Sequence, residues 1–300
     1  MKKFKKTLSS IIVFVAVILY TLLNGDIEST SIEANKEEKK QAKYDTVLNE
    51  TLEVHFLDVG QADSILITTG GKAGLIDAGN SSDGINIVNY IKDLGITKLD
   101  FVVGTHPHED HIGGIDDIIK NFDIEKYYMP DVLTTTKTFE NVLDALENKK
   151  LKYTVPKIGS KFNLGEAQFE TIYLGTDTKD LNNTSIVLKM TFGNKSFLFT
   201  GDATDVSEEK MLDKDIKVDV LKVGHHGSEY STTDKFLDRV NPSISIISVG
   251  ENNKYGHPSS KTLEKLKNSK IYRTDFDKTI IIKTDGNNLN VEKINKSLNG

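Results

Sequence analysis

Six of the seven histidines in this chain lie in three short polar segments. The first segment, residues 104–114, reads GTHPHEDHIGG; the other two are HHGS at residues 225–228 and YGHPS at residues 255–259. Each comes after an apolar run of the kind that forms buried strands. Because loops at strand ends commonly carry the chemistry of a sheet scaffold, this distribution predicts one shared site. The seventh histidine, His55, lies inside a predicted strand and is not expected to take part.

The first segment has the spacing of a metal site. His106 and His108 are two residues apart, so both imidazoles point to one side of an extended loop and can bind one ion. Asp110 and His111 are adjacent, so they diverge and can face a second ion. Two ions about 3.5–4 Å apart could activate a water molecule and hold a substrate oxygen. The segment therefore predicts a two-metal hydrolytic site rather than a solvated polar loop.

The elements around these segments predict an α/β domain in which helices cover sheets. Apolar runs predict strands, among them a hairpin that turns at Gly70 and Gly71. Gly113 and Gly114 are expected to let the backbone turn tightly into a following helix. Residues 83–94 have helical spacing, with a predicted buried face of Ile85, Val88, Ile91 and Leu94.

The first 50 residues differ from the rest. MKKFKK is basic and residues 11–23 are apolar, so residues 1–24 are predicted to be an export signal or a short membrane anchor. No A-x-A cleavage pattern follows, which leaves an uncleaved anchor formed by residues 8–24 open; a buried core helix is the remaining alternative. Residues 25–50 predict a polar linker and residues 51–300 the folded domain. The sequence thus predicts an extracytoplasmic protein, secreted or held at the membrane only by its N-terminal segment.

The composition argues against a globally basic nucleic-acid-binding protein and excludes sites that need cysteine. The net charge of −6 is unlike that of a globally basic nucleic-acid-binding protein. The chain has no cysteine, so it contains neither disulfides nor a thiolate metal site.

Six motifs resemble, in order, the signature of the metallo-β-lactamase superfamily. They are FLDVGQADSILI, LIDAG, THPHEDHIGG, FLFTGDA, LKVGHHGS and YGHPS. Their order is similar to that in the ComEC-like branch of extracytoplasmic domains and their stand-alone relatives. The resemblance implies a four-layer αββα sandwich with two divalent ions, zinc or manganese, along one edge of the sheets.

The resemblance also implies a role for each ligand. His106 and His108 match the ligands of the first ion, whereas Asp110 and His111 match ligands of the second. Asp202, in TGDA, matches a bridging carboxylate, whose negative charge offsets the repulsion between two dications. In HHGS, the first histidine matches the last ligand of the second ion, and the second one is expected to support a ligand or contact substrate; these are His225 and His226.

One departure from the family pattern concerns the first ion. Most members with two zinc ions have a further histidine between the opening motif and the bridging aspartate, where this chain reads LNNTSIVL. Asn183 or a water is therefore expected to complete the first ion. An oxygen-rich site binds zinc less tightly and leaves manganese open. The departure argues against an efficient antibiotic hydrolase.

Four residues are candidates for support or substrate contact. Asp58 and Asp77 end predicted strands and are expected to orient ligand imidazoles or loops, with a turn cap as the alternative for each. Lys222 and Ser228 flank the histidines of HHGS and could contact substrate oxygens.

Asp110 and His257 are the candidate catalytic residues. His257 could donate a proton to a leaving group or hold a phosphate. The alternative is that it merely precedes a helix capped by Ser259 or Ser260.

The predicted function is that of an exported metal-dependent hydrolase that cleaves phosphodiesters by attack of a metal-bound hydroxide, with DNA as one candidate substrate. No basic run for a long polymer is visible, so smaller phosphoesters stay open. Alternatives are an acyl or amide hydrolase of the lactonase or β-lactamase type and a non-catalytic metal-binding surface protein. No protein partner is predicted.

Overall fold

The computed structural model describes residues 51–176, 179–295 and 298. The predicted signal or anchor (residues 1–24) and the predicted linker (residues 25–50) lie outside the described residues. Among the helices of the described part, none has the length and apolar character needed to span a bilayer.

Strands and helices are numbered here in chain order. The strands are β1 (Leu52–Phe56), β2 (Ser64–Thr69), β3 (Lys72–Ala78), β4 (Lys98–Leu99), β5 (Phe101–Val103), β6 (Asp123–Ile124), β7 (Tyr127–Tyr128), β8 (Tyr153–Thr154), β9 (Lys161–Leu164), β10 (Ala167–Tyr173), β11 (Val187–Phe192), β12 (Lys195–Phe199), β13 (Val220–Lys222), β14 (Ile244–Ile247), β15 (Lys270–Arg273), β16 (Thr279–Thr284) and β17 (Leu289–Ile294). The α-helices are α1 (Gly84–Asp93), α2 (Glu109–Ile112), α3 (Ile115–Asn121), α4 (Lys137–Lys149), α5 (Asp205–Glu209), α6 (Asp234–Val240), α7 (Ser260–Lys265) and α8 (Thr274–Asp277). Short 3-10 turns span Leu181–Thr184, Gly224–Gly227 and Leu266–Asn268.

Two large sheets form the centre of the domain. The eight-stranded sheet has the order β17-β16-β1-β2-β3-β5-β7-β8, and the seven-stranded sheet the order β15-β14-β13-β12-β11-β10-β9. Within them β3, β5, β7 and β8 run parallel, as do β12, β13, β14 and β15. Parallel neighbours end at the same edge of a sheet, so the loops that follow these strands are brought together.

Three apolar cores separate four layers. The central core lies between the sheets and includes Phe56, Phe101 and Phe199. A second core packs α1, α3 and α4 on the eight-stranded sheet, and a third packs α6 and neighbouring turns on the seven-stranded sheet. The predicted four-layer αββα sandwich is confirmed.

Helix α1 forms where its spacing predicts, but its buried face is rotated from the expected one. Ile87, Val88 and Ile91 are buried, whereas Ile85 and Leu94 are 51% and 47% exposed. The physical reason is the close packing of the first turn on α3. A Cβ on Gly84 would lie 2.6 Å from the Asp117 carboxylate and 2.9 Å from the Cα of Gly114.

The predicted hairpin is present, and its turn residues Gly70 and Gly71 have φ of 55° and 73°. The second glycine pair forms the expected turn into a following helix, α3, but it does so without positive φ angles. Gly113 and Gly114 have φ of −56° and −90°, which any residue adopts. They are required for space, because a Cβ would lie 2.2 Å from the Ser81 nitrogen or 2.4 Å from the Ala78 oxygen, respectively. This close approach holds α2 against the end of β3.

Candidate metal centre

The centre forms where loops after four parallel strands meet. Strand β3 ends beside Asp77, and the loop after β5 carries the opening motif into α2. In the other sheet, Asp202 follows β12, while His225 and His226 lie in the 3-10 turn after β13. Strand-end loops from both sheets therefore supply the site.

His106 and His108 present two nitrogens to one point, and we call them the first-ion pair. The Nε2 of His106 lies 3.0 Å from the Nδ1 of His108. The hydroxyl of Thr105 donates to Asp77 (2.7 Å), so its oxygen is free to accept from the Nδ1 of His106 at 3.2 Å. Burial, helped by His111, holds the pKa of His106 well below its usual value. The first-ion pair is thus set up with a neutral His106 whose Nε2 lone pair is available.

Asp110, His111, Asp202 and His226 form a second group, which we call the second-ion cluster. One ligand atom from each lies within 4.8 Å of all the others. The Nε2 of His111 is 3.2 Å from the Oδ1 of Asp202, and the Nε2 of His226 is 3.3 Å from the Oδ2 of Asp110. Two imidazoles and two carboxylates are a donor set that suits zinc or manganese.

Asp202 lies between the two groups. Its Oδ1 faces His111, while its Oδ2 is 3.9 Å from the Nε2 of His106 and 3.6 Å from the Nε2 of His226. The side chain is 2% exposed. This position is the one that a carboxylate shared by two ions would occupy.

The two imidazoles of the second-ion cluster are oriented by contacts of their Nδ1 atoms, on the side away from the cluster. The Nδ1 of His111 contacts the Oδ2 of Asp77 at 2.8 Å, and the Nδ1 of His226 donates to the carbonyl of Ser248 at 2.9 Å. Each contact places the proton on Nδ1 and turns Nε2 toward the cluster. Asp77 therefore contacts the imidazole of His111, which the sequence predicts to be a ligand.

Three buried atoms test whether a cation fits this cluster. The Nε2 atoms of His111 and His226 and the Oδ1 of Asp202 have no hydrogen-bond partner in the described structure. They lie close together but outside hydrogen-bonding geometry. Buried polar atoms without partners are costly, and a cation that binds all three removes that cost. The second-ion cluster therefore fits a divalent cation.

The charged groups of the second-ion cluster shift one another's pKa values. Burial alone would raise the pKa of Asp110, but His111 and His226 bring it well below its usual value. Burial opposes a charged His111, yet Asp202 and Asp77 raise the pKa of His111 well above its usual value. An imidazolium has protons on both nitrogens, so a cation binds Nε2 only when one proton leaves. Metal affinity should therefore fall with falling pH.

The turn that holds His225 and His226 has an uncommon backbone. Both residues have positive φ, 49° and 53°. Such conformations cost free energy in residues other than glycine and persist where the surroundings impose them. Here the backbone N–H of His225 donates to the carbonyl of Gly201, and the Oγ of Ser231 donates to that of Gly224.

The geometry adds His226, for which a supporting role was expected, to the candidate ligands, and it leaves His225 at the same 3.9 Å from Asp202 as His106. His226 is buried and belongs to the second-ion cluster. The His225 side chain is 25% exposed, with its Nε2 3.9 Å from the Oδ2 of Asp202. Its ring lies beside that of His257, with 5.7 Å between centroids. Motif order cannot say which of two adjacent side chains turns inward, because the backbone of the turn decides it.

A buried ion pair under the cluster was missed by the sequence reasoning. The Nζ of Lys222 lies 2.6 Å from the Oδ2 of Asp63, and the other carboxylate oxygen is 3.5 Å from the Nδ1 of His226. Because Lys222 is 1% exposed, it cannot contact substrate oxygens, and that expectation was wrong. The signal available for Asp63 was a carboxylate directly before the buried strand β2.

Asn183 does not face the first-ion pair as a free ligand. Its Oδ1 accepts hydrogen bonds from the hydroxyls of Thr204 (2.6 Å) and Ser207 (2.7 Å). Both lone pairs are therefore used to tie the turn to α5, which corrects the expectation that this amide completes the first ion.

Asp58 has the turn contact that was the alternative for it, whereas Ser228 has a structural contact instead of the expected one. The Oδ2 of Asp58 is 3.7 Å from the Nζ of Lys278, and its Oδ1 accepts from the backbone of Gly60 at 3.4 Å. The Oγ of Ser228 accepts from the backbone N–H of Tyr230 at 3.3 Å. Ser228 is 1% exposed, so it stabilises its loop and does not reach substrate.

His257 lies at the rim of the site. Its side chain is partly buried, and the ring is adjacent to that of His225. Burial, together with His225 and His226, lowers the pKa of His257. The imidazole is thus neutral near pH 7 and lies beside the residues that surround Asp202.

Comparison with known proteins is consistent with this geometry. Residues 57–251 match the family model of the Metallo-beta-lactamase superfamily. The chain is 31% identical over 251 residues to ComE operon protein 3 of Bacillus subtilis, covering 76% of this chain and 32% of that protein. It is 32% identical over 222 residues to Recombination protein 2 of Haemophilus influenzae, covering 72% and 26%, respectively. The chain thus spans about a third or less of these relatives.

Two solved structures share the fold. One is the metallo-beta-lactamase fold protein YhfI from Bacillus subtilis, with a TM-score of 0.56, 12% identity and coverage of 78% of this chain and 100% of that one. The other is CmlA, a diiron beta-hydroxylase from Streptomyces venezuelae, with a TM-score of 0.52, 12% identity and coverage of 81% and 54%. At these identities the likeness concerns the fold alone.

Proposed function

The chain belongs to the metallo-beta-lactamase superfamily, and from this premise we propose that it is a metal-dependent hydrolase that cleaves phosphodiester bonds. The observation that carries the proposal is the shared position of Asp202 between the first-ion pair and the second-ion cluster. Two relatives have names that refer to competence and recombination, Competence protein ComA of Neisseria gonorrhoeae and Recombination protein 2. Both names concern DNA, whose backbone is a phosphodiester, and this supports the choice of substrate.

The protein's own residues would divide the work as follows. His106 and His108 would hold one ion, Asp110, His111 and His226 the other, and Asp202 both. When bound, such ions act as Lewis acids that lower the pKa of water and offset developing negative charge.

Other residues keep this arrangement in place. Asp77 and the carbonyl of Ser248 fix the tautomers of two imidazoles, so that each Nε2 presents a lone pair. Burial of Asp202 and His106 excludes bulk water from the inner side. His257, neutral at the rim, would donate a hydrogen bond from its ring N–H to a phosphate oxygen.

A substrate panel tests the proposal. The full chain, loaded with manganese or zinc, is incubated with bis(p-nitrophenyl) phosphate, single-stranded DNA and a chromogenic β-lactam. We expect metal-dependent turnover of the phosphodiesters and little of the lactam. Dominant turnover of the lactam would favour an acyl or amide hydrolase and contradict the proposal.

Two variants separate catalysis from mere metal binding. Asp202→Asn removes the shared charge and should reduce phosphodiester turnover by more than about a hundredfold, the scale seen when key electrostatic groups are removed. Asp131→Asn, at an exposed carboxylate, is the control and should leave turnover unchanged. Equal turnover in both variants would mean that a contaminating enzyme or a different site is responsible.

We further propose that the protein acts outside the cytoplasm, with residues 1–24 as its signal or anchor. The support is the basic and apolar composition of that segment. Protease added to intact cells should digest an epitope placed after Ile294, and protection of the epitope until lysis would contradict this location.

A further inference from the structure

Tyr255 is a large aromatic side chain that is 59% exposed at the rim of the centre. Its ring stacks on that of His257, with 5.8 Å between centroids and 16° between planes. The His257 ring in turn contacts that of His225, whose Nε2 is 3.9 Å from Asp202. We call Tyr255, His257 and His225 the rim ladder. It leads from solvent to the carboxylate shared by the two ion sites.

The loop that carries the rim ladder is fixed by one side chain. The Oδ1 of Asn253 accepts from the backbone N–H groups of Tyr255 (3.2 Å) and His257 (3.0 Å). Its Nδ2 donates to the carbonyls of Gly250 (3.0 Å) and His257 (2.6 Å). Four hydrogen bonds thus hold the loop that carries Tyr255. Burial of the Tyr255 ring contributes little to the stability of this loop because the ring is mostly exposed. The loop backbone is therefore fixed, and it presents the exposed Tyr255 ring toward solvent.

A cation lies over the exposed ring. The Nζ of Lys254 is 5.1 Å from the centroid of Tyr255. Two nearby lysines are engaged, Lys261 with Glu229 at 2.5 Å and Lys278 with Glu251 at 3.9 Å. No carboxylate of the described residues lies within ion-pair distance of Lys254. The rim therefore offers a π-face that is covered by an exposed lysine. Because a stacked base is worth more than a cation–π contact at an exposed site, a base would displace this contact and leave the positive charge next to its phosphate.

We propose that Tyr255 and Lys254 form a subsite for one nucleotide of a single-stranded nucleic acid. This inference rests on the proposed phosphodiesterase function and specifies its substrate class. A base stacks on Tyr255, its phosphate lies near Lys254, and the rim ladder places a neighbouring phosphodiester toward Asp202. Stacking on a side chain requires an unstacked base, which a single strand supplies and a duplex does not.

The net charge of the chain is compatible with a protein that contacts a nucleic acid at a single phosphate. With a net charge of −6 the protein has no excess of cations to follow a long backbone. Each phosphate contact on a single strand contributes about −0.7 to the slope of log K against log salt. We expect a slope near −1 for the full chain, and Lys254→Ala should bring it closer to zero by about 0.7.

Binding of two fluorescent pentamers to the full chain, in chelator to prevent cleavage, tests the subsite. One is oligothymidylate and the other is an abasic strand with the same phosphates. The full chain should bind the base-bearing strand about tenfold more tightly, at the lower end of the stacking scale. Tyr255→Ala should remove that preference, whereas Tyr153→Ala, at an exposed ring on the edge strand β8, should retain it.

The possible results either overturn the subsite or separate it from the proposed function. Equal affinity of the full chain for both strands, or a preference that survives in Tyr255→Ala, overturns the subsite. Tighter binding of a neutral oligosaccharide than of oligothymidylate also overturns it, since sugar rings stack on tyrosine too. If the base preference depends on Tyr255 but no phosphodiester is cleaved in the substrate panel, the proposed function fails while the subsite stands.

Discussion

Replacing Lys222 with methionine should lower the free energy of unfolding by about 3–5 kcal/mol, the usual cost of removing one partner of a buried ion pair. The Nζ of Lys222 and the Oδ2 of Asp63 are 2.6 Å apart, and the two side chains are 0% and 2% exposed. Methionine keeps most of the apolar stem, so the loss reports on charge rather than on volume. Asp63 would be left as a buried carboxylate with His226 and His111 at 3.5 and 4.0 Å and with the Asp77 carboxylate within 4.8 Å.

The assay is urea unfolding of the full chain in chelator, so that bound metal does not contribute to stability. Lys189→Met is the matched control, because Lys189 also forms a 2.8 Å pair, but with Asp215, whose side chain is 88% exposed. That pair should contribute no more than about 1 kcal/mol.

A double variant tests whether the charges of Lys222 and Asp63 stabilise the fold as one unit. Lys222→Met with Asp63→Leu removes both charges, so it should cost at least about 2 kcal/mol less than the sum of the single variants. Additive effects, or a Lys222→Met variant within about 1 kcal/mol of the parent, would show that the pair is not an energetic unit.

Three further predictions concern the ligands, the close packing and the acid response. His226→Ala should weaken manganese binding more than about tenfold by calorimetry, and His225→Ala should weaken it less; the opposite order would restore the sequence-based assignment. Gly113→Ala should cost about 1–3 kcal/mol in urea unfolding because its Cβ meets backbone atoms, and an unchanged midpoint would contradict this packing. Backbone N–H groups of Asn288 and Asn287 lower the pKa of Asp285 to about 2 from 3.8. The stability that this carboxylate contributes is present above pH 3.8 and is lost as the pH falls toward 2, so the stability gap between the parent and Asp285→Ala should close over that window. A gap that stays constant would refute the assignment.

The local part of the centre could be predicted from the sequence. His106 and His108 converge because they are two positions apart in the chain, with Pro107 between them, and this relation needs no knowledge of the rest of the fold. The resemblance to a known family supplied the four layers and the position of Asp202.

Other features depend on contacts that the sequence does not reveal. Asp63 and Lys222 meet because β2 of one sheet begins, and β13 of the other sheet ends, at the same edge. His226, rather than His225, turns inward because the turn adopts two successive left-handed residues. Asn183 could not be excluded as a ligand before the hydroxyls that occupy its oxygen were located.

The most direct test of the two-ion hydrolase is a titration of the metal-stripped full chain with manganese, in which bound ions and phosphodiester turnover are measured on the same samples. The geometry predicts that turnover rises as the second ion binds and levels off at two ions per chain. Turnover that is independent of bound metal, or two bound ions without turnover, would contradict it.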